Sequence, residues 1–260
     1  MINAKDFDFC GEKLSDYGFV IGSFNGGNDV ETLNSGNIQV TTITLPKYRK
    51  NIIHGKQFGE PIQITFQVVK LDENCSPLYV TDNEYDAIKR WLERDTYNFI
   101  RFDDEQVYFN ALITVAGVSV NGKVVGFELT VKSDSGFSYS EELTTTLLTG
   151  QNTFTDNSAL VDYTYPTLVI TCTEDGDFQM SNALDDNRTM EVKNCVTGEV
   201  LTVDCEHKTI QTNVSGHDLS SDFNYKFFRF LNTRQTRSNT ITVTGGSVNM
   251  TYRFTRMVTR

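Results

Sequence analysis

Apolar and polar positions alternate with a period of two along three stretches of the chain. Ile62, Ile64, Phe66 and Val68 alternate with Gln63, Thr65 and Gln67. Val125, Phe127, Leu129 and Val131 alternate with Gly126, Glu128 and Thr130, and Val248, Met250, Tyr252 and Phe254 with Asn249, Thr251 and Arg253. Such alternation buries one face of an antiparallel sheet and leaves the other wet. Asn121-Gly122 lies between two strand-like runs and supplies the positive φ that a tight hairpin turn needs. Thr197-Gly198 and Gly245-Gly246 break later runs in the same way. One helix interrupts the pattern. Thr81 and Glu84 form a capping box, in which each side chain satisfies a free backbone N–H. Tyr85, Ile88, Trp91 and Leu92 then recur at helical spacing, which predicts a helix over about 82–94 with the only tryptophan on its apolar face. The fold class is mainly β.

A change of texture marks a boundary. Ser133 to Thr155 is rich in Ser, Thr, Gly and Asn, and strand-like runs resume near Leu168. A junction near residue 140 gives domains of 1–140 and 141–260, each large enough for its own core. Phe223-Asn-Tyr-Lys-Phe-Phe-Arg-Phe230 reads as a strand apolar on both faces. Phe223, Tyr225 and Phe227 fall on one side, and Phe228 and Phe230 on the other, as in the centre of a sandwich or under a partner.

Composition narrows the class. The 260 residues are 38% hydrophobic, and no run approaches the roughly 20 apolar residues of a spanning helix. Met1 to Gly11 carries Asp6 and Asp8 and lacks the basic-then-apolar order of a signal peptide, so the expectation is a protein made and used from the cytoplasm without membrane insertion. The cysteines are odd in number (Cys10, Cys75, Cys172, Cys195, Cys205) and form no Cys-x-x-Cys, which favours reduced thiols. Net charge is −11. Seven basic residues (Lys226, Arg229, Arg234, Arg237, Arg253, Arg256, Arg260) and no acidic one follow Phe223; before it stand 16 basic and 34 acidic residues, a net of −18. An acidic body argues against specific nucleic-acid binding. The basic end reads as solvated strand faces or as a contact for an acidic neighbour.

No constellation for catalysis emerges. Gly22-Ser-Phe-Asn-Gly-Gly27 contains neither a nucleophile elbow nor a phosphate loop. Asp103-Asp104, Glu174-Asp175 with Asp177, and Asp185-Asp186 read as solvated turns rather than glycosidase pairs. Glu174-Asp-Gly-Asp177 lacks the further ligands of a calcium loop. Cys205-x-His207, on one face of a strand, matches no zinc spacing even with Cys195 and His217 added. The expectation is no enzyme, no metal and no cofactor.

Several segments resemble the distal tail protein (Dit) family of siphophages that infect Gram-positive bacteria. Phe7-Asp-Phe9-Cys-Gly11 followed by Ser15-Asp-Tyr-Gly18-Phe-Val-Ile21 resembles the family's first hairpin, with Cys10 where Asn is usual. The capped helix ending in Trp91-Leu92, then Ile100-Arg-Phe-Asp-Asp104 and Val107-Tyr-Phe-Asn-Ala111, follow in the family's order. So do Tyr165-Pro-Thr-Leu-Val-Ile170, Thr197-Gly-Glu-Val-Leu-Thr-Val-Asp204 and Asn239-Thr-Ile-Thr-Val243, with Arg237 where a Gly is usual. The resemblance spans nearly the whole chain. It implies an N-terminal β domain with a helix and a C-terminal galectin-like β-sandwich. It also implies a homohexameric ring, with N-terminal domains around a channel and C-terminal domains projecting outward. Such a ring joins the tail tube protein to the tail-tip fibre or tail-associated lysin, with the tape measure and receptor-binding proteins as further partners.

A closed ring needs two different patches that meet on neighbouring subunits. The stretch Thr41 to Phe66 fits, read as a long hairpin with two alternating arms and a basic middle: Lys47, Tyr48, Arg49, Lys50, His54 and Lys56. An ordinary solvated hairpin fits the same residues. Three functions stand at this point: a structural hub at the phage tail tip, a carbohydrate-binding tail accessory module acting in host-surface adsorption, and a tail-associated hydrolase.

Overall fold

The structure, a computed structural model, describes residues 4–22, 39–45, 50–57, 60–72, 76–233 and 235–257. Backbone packing divides the chain into two units, Met1–Ser140 with Arg256–Arg260, and Glu141–Thr255. Among the described residues no helix is long and apolar enough to cross a membrane.

The first unit is built on one antiparallel sheet of seven strands. Their order is Glu12–Lys13, Phe7–Phe9, Asn98–Phe102, Phe109–Val120, Lys123–Ser133, Gln63–Lys70 and Phe19–Gly22. The Ile21 amide donates to the Lys5 carbonyl at 3.0 Å, so the sheet curls until its last strand meets the chain entering its second. Asn121 and Gly122, at φ 52° and 77°, make the tight turn between the two longest strands. Cys10 and Gly11 do the same at φ 56° and 81° between Phe9 and Glu12. Asn would adopt that left-handed conformation more readily than Cys.

The helix runs Asp82–Leu92 and ends two residues before the expected Arg94, because Glu93 turns to extended backbone. There its carboxylate accepts from the Val115 amide at 3.3 Å. The Thr81–Glu84 capping box is present, and Glu84 also pairs with Lys70. Ile88, Trp91 and Leu92 are buried against the sheet. The Trp91 ring lies parallel to Phe7 and Tyr17, at 5.5 and 4.6 Å, and its indole N–H donates to the Phe9 carbonyl at 3.0 Å. Helix and first hairpin are thus fixed to each other by a ring stack and a hydrogen bond. Gly117 lets the helix lie close, since a Cβ there would stand 3.0 Å from the Tyr85 ring.

The second unit is a two-sheet sandwich. Leu143–Leu147, Gly246–Tyr252, Thr167–Cys172, Val200–Asp204 and Thr209–Thr212 form one antiparallel sheet in that order. Gly150–Thr155, Ser238–Thr244, Gly176–Asn182 and Arg188–Cys195 form the other. Leu168, Ile170, Leu201, Val203, Val248 and Met250 meet Phe178, Met180, Met190, Val192, Ile241 and Val243 between the sheets. Gly245 and Gly246 are required at their turn. A Cβ on either would come within 2.7 Å of the Asp177 carbonyl or 2.6 Å of the Thr171 carbonyl.

Three sequence expectations are corrected. Ser133–Thr155 is not a plain linker: it holds the strands Leu143–Leu147 and Gly150–Thr155, in which Thr144, Thr146, Thr153 and Thr155 are exposed while Leu147 and Phe154 enter the core. Phe223–Phe230 is not one strand. Phe223 bridges to Val192 and Phe230 opens the short strand Phe230–Leu231, but residues 224–229 between them are irregular, with Tyr225 left-handed and exposed while Phe223, Phe227, Phe228 and Phe230 are buried. Thr41–Phe66 is not one hairpin, because its last run, Ile62–Val68, is taken into the large sheet beside Lys123–Ser133.

Candidate assembly surface

The hairpin that remains pairs Gln39–Ile43 with Ile52–Gln57 as a separate two-stranded sheet. Thr41 faces Gly55 and Thr42 faces Ile53, so His54 is the extra residue of a bulge. Beyond the last pair, Ile43 with Ile52, the Thr44 hydroxyl donates to Asn51 at 2.8 Å. Of the six residues singled out from sequence, Lys47, Tyr48 and Arg49 lie outside the described residues. Lys50 is exposed beside the second strand. His54 and Lys56 are placed in that strand by their backbone, and their side chains lie outside what is described.

The ribbon carries a feature that the basic residues obscured. Ile43, Leu45, Ile52 and Ile53 are all exposed, Ile53 by 64%. Ile43 and Ile52 face each other across the ladder, and Ile53 stands opposite Thr42. A two-stranded ribbon is marginal alone, and clustered exposed aliphatics mark a contact surface. The adjacent Ile52-Ile53 was the available signal, since it breaks the apolar/polar alternation of a ribbon with one wet face.

Several carboxylates elsewhere are engaged in structure. Asp185 is a buried partner of Arg229, which donates to it at 2.8 and 3.0 Å. That corrects both the solvated reading of the Asp185-Asp186 turn and the solvated reading of Arg229. Asp103 accepts from the Lys5 amide at 3.0 Å, and Asp175 accepts from the Thr197 amide at 2.7 Å. Cys205 and His207 do not share a strand face. Cys205 is buried just past Asp204, its thiol pushed up to about 12 chiefly by burial, while His207 sits in the turn against Asp204 at 2.8 Å. Among the described residues no cluster of His, Cys, Asp and Glu could hold a metal ion.

Sequence reading missed one buried ion pair. Glu199 accepts from His217 Nδ1 at 2.6 Å, from the Val196 amide at 3.1 Å and from the Thr212 hydroxyl at 2.5 Å. His217 Nε2 faces the Lys193 carbonyl at 2.9 Å and Asp222 at 3.4 Å. Carboxylates and carbonyls only accept, so both ring nitrogens carry protons and the imidazole is charged. Burial works to lower the His217 pKa, but the hydrogen bond and charge of Glu199 raise it above the ordinary value. Burial works to raise that of Glu199, and its hydrogen bonds from Thr212, His217 and Val196, with the His217 charge, hold it below. The partners lie 18 residues apart, with nothing in either local sequence to join them.

The described residues thus give two β units and an exposed apolar ribbon. Residues 2–135 match a phage tail protein N-terminal domain, and residues 136–254 match a phage tail C-terminal domain. The chain belongs to this family of phage tail proteins. Among solved structures it resembles the Dit protein (gp 19.1) of phage SPP1, a paradigm of the hub adsorption apparatus in phages infecting Gram-positive bacteria. The TM-score is 0.64 at 16% identity, over 96% of this chain and 98% of that one. The two share a fold from end to end. No curated protein sequence matches the chain.

Proposed function

We propose that this tail protein is a distal hub, a homohexameric ring that joins the end of the tail tube to the tail-tip fibre or tail-associated lysin. Residues 1–140 form the ring, and residues 141–260, a galectin-like sandwich, are the platform for receptor-binding components. The tape measure and tube proteins meet the ring at its tube side, and assembly takes place in the host cytoplasm. The observation that carries the reading is the end-to-end fold likeness to a hub protein, joined to an apolar ribbon that a monomer leaves open. The ribbon supplies one half of the head-to-tail contact that a closed ring repeats. Lys50, with Lys47, Tyr48, Arg49, His54 and Lys56, belongs to that interface on this reading, and the cations among them set its register by charge.

The role is structural, without catalysis. The aromatic segment offers little to a carbohydrate, because its four phenylalanines are buried and only Tyr225 stands out. Negative-stain images of the purified chain, alone and with its tube partner, test the hub. Six-fold ring averages are expected, and a protein that stays monomeric with both tube and tip partners overturns the reading.

A further inference from the structure

Two thiols sit where the chain twice crosses between the sheets of the second unit. Cys172 ends a strand of the five-stranded sheet, and Gly176 opens one of the four-stranded sheet. Cys195, opposite Gly176, ends its strand there, and Val200 opens one back in the five-stranded sheet. The crossings run side by side. The Cys172 amide donates to the Glu199 carbonyl, and the Gly198 amide to the Cys172 carbonyl, both at 2.9 Å. The Thr197 amide and hydroxyl both reach Asp175, at 2.7 and 2.9 Å. The two thiols are buried, unbridged and near enough to affect each other's ionisation, and the Cys195 thiol donates to the Val192 carbonyl at 3.5 Å. The turns above them, residues 173–177 and 196–198, are exposed.

We propose that Cys172 and Cys195 are an oxidisable pair that closes into an intrachain disulfide, stapling the two crossings, when the protein meets hydrogen peroxide. The sulfur of one thiol attacks one peroxide oxygen, the O–O bond breaks, and the departing hydroxide leaves as water with that thiol's proton. The sulfur of the other thiol then attacks the resulting sulfenic sulfur, the S–S bond forms, and the displaced hydroxyl leaves as a second water with the second thiol's proton. Two thiols and one peroxide give one disulfide and two waters. The neighbouring Cys195 and burial raise the pKa of Cys172, and the same contact lowers that of Cys195 against burial. Peroxide is close to water in size, and opening the exposed turns admits it. The thiols stay reduced in a cytoplasm and close outside one. The bridge encloses residues 173–194, and by constraining the unfolded chain it raises the midpoint of the second unit by roughly 10 °C.

The test treats the full chain with hydrogen peroxide, blocks remaining thiols under denaturing conditions and maps linked peptides by mass. The expected result is a link between Cys172 and Cys195, a rise of the second unit's thermal midpoint, reversal of both by dithiothreitol, and loss of the rise in Cys172→Ala and Cys195→Ala. Peptide mapping on the natural sequence decides the matter even where those variants fold poorly. A link through Cys10, Cys75 or Cys205 in its place overturns the proposal. So does arrest at sulfinic acid, or survival of both thiols while exposed Cys10 is consumed.

Discussion

The two units differ in what they bury and what they leave open. The first has an apolar interior, with serines (Ser133, Ser138, Ser140) as its buried polar residues among those described. Its helix is fixed by Trp91, and its ribbon leaves Ile43, Leu45, Ile52 and Ile53 exposed. The second buries charge and amide: Asp156, Asp185 and Glu199, with Asn182, Asn232 and Asn239. Asn239 alone joins Leu231, Arg237 and Asn182 through hydrogen bonds of 2.8–3.1 Å. Unpartnered apolar surface is a demand for a neighbour, whereas a buried ion pair ties stability to protonation. On the proposed reading assembly falls to the first unit, while the buried pair of the second ties its stability to pH.

Trp91→Ala breaks the comparison most sharply. It empties the ring stack and leaves a cavity, costing the first unit about 3–5 kcal/mol. Calorimetry should show that unit's transition fall while the second unit's midpoint holds. His217→Ala acts the other way round. It strands Glu199 as a buried, unpaired carboxylate and costs the second unit about 3 kcal/mol. The pair also predicts a pH window. With its folded pKa raised, His217 contributes below its unfolded value, and that contribution is lost as pH rises through the folded one. With its folded pKa lowered, Glu199 contributes above its unfolded value, and that contribution is lost as pH falls through the folded one. Denaturant midpoints of the second unit should therefore peak between the two and flatten in Glu199→Gln/His217→Ala.

Smaller effects sharpen the picture. Replacing Ile43, Ile52 and Ile53 with Ser should leave the monomer folded by circular dichroism and weaken subunit contact by about 1–2 kcal/mol per side chain. Replacing Lys47, Arg49, Lys50 and Lys56 with Ser should cost only about 0–1 kcal/mol per exposed pair, in a salt-dependent way visible by light scattering. Cys10→Asn should stabilise the first unit by under about 1 kcal/mol, read as a raised midpoint, because Asn tolerates the left-handed turn better.

Much of the fold was legible because it rests on local signals. Alternation located the strands at 62–68, 125–131 and 248–254, Asn121-Gly122 located the hairpin, and Thr81 with Glu84 located the helix start. Phe223–Phe230 misled because aromatic density looks the same in a strand as in an irregular segment folded over a core. Strands hid in Ser133–Thr155 because threonine serves a wet sheet face as well as a loop. The candidate ribbon drew attention from sequence for its charge and not for its aliphatics. Lys47, Arg49, Lys50 and Lys56 drew attention to charge, while the exposure of Ile52 and Ile53 depends on which elements the fold places over the ribbon, and among the described residues none pairs with it. Glu199 with His217 was beyond reach, since only the fold brings them together.

Sedimentation velocity of the natural chain and of the Ile43/Ile52/Ile53→Ser variant, at low and high salt, tests the central claim most directly. The natural chain is expected to sediment as an assembly of about 176 kDa, six copies of the 29.4 kDa chain, that largely survives high salt. The variant is expected to sediment as a folded monomer. A variant that keeps the full assembly at both salt concentrations would contradict the claim that the first unit's apolar ribbon holds the ring.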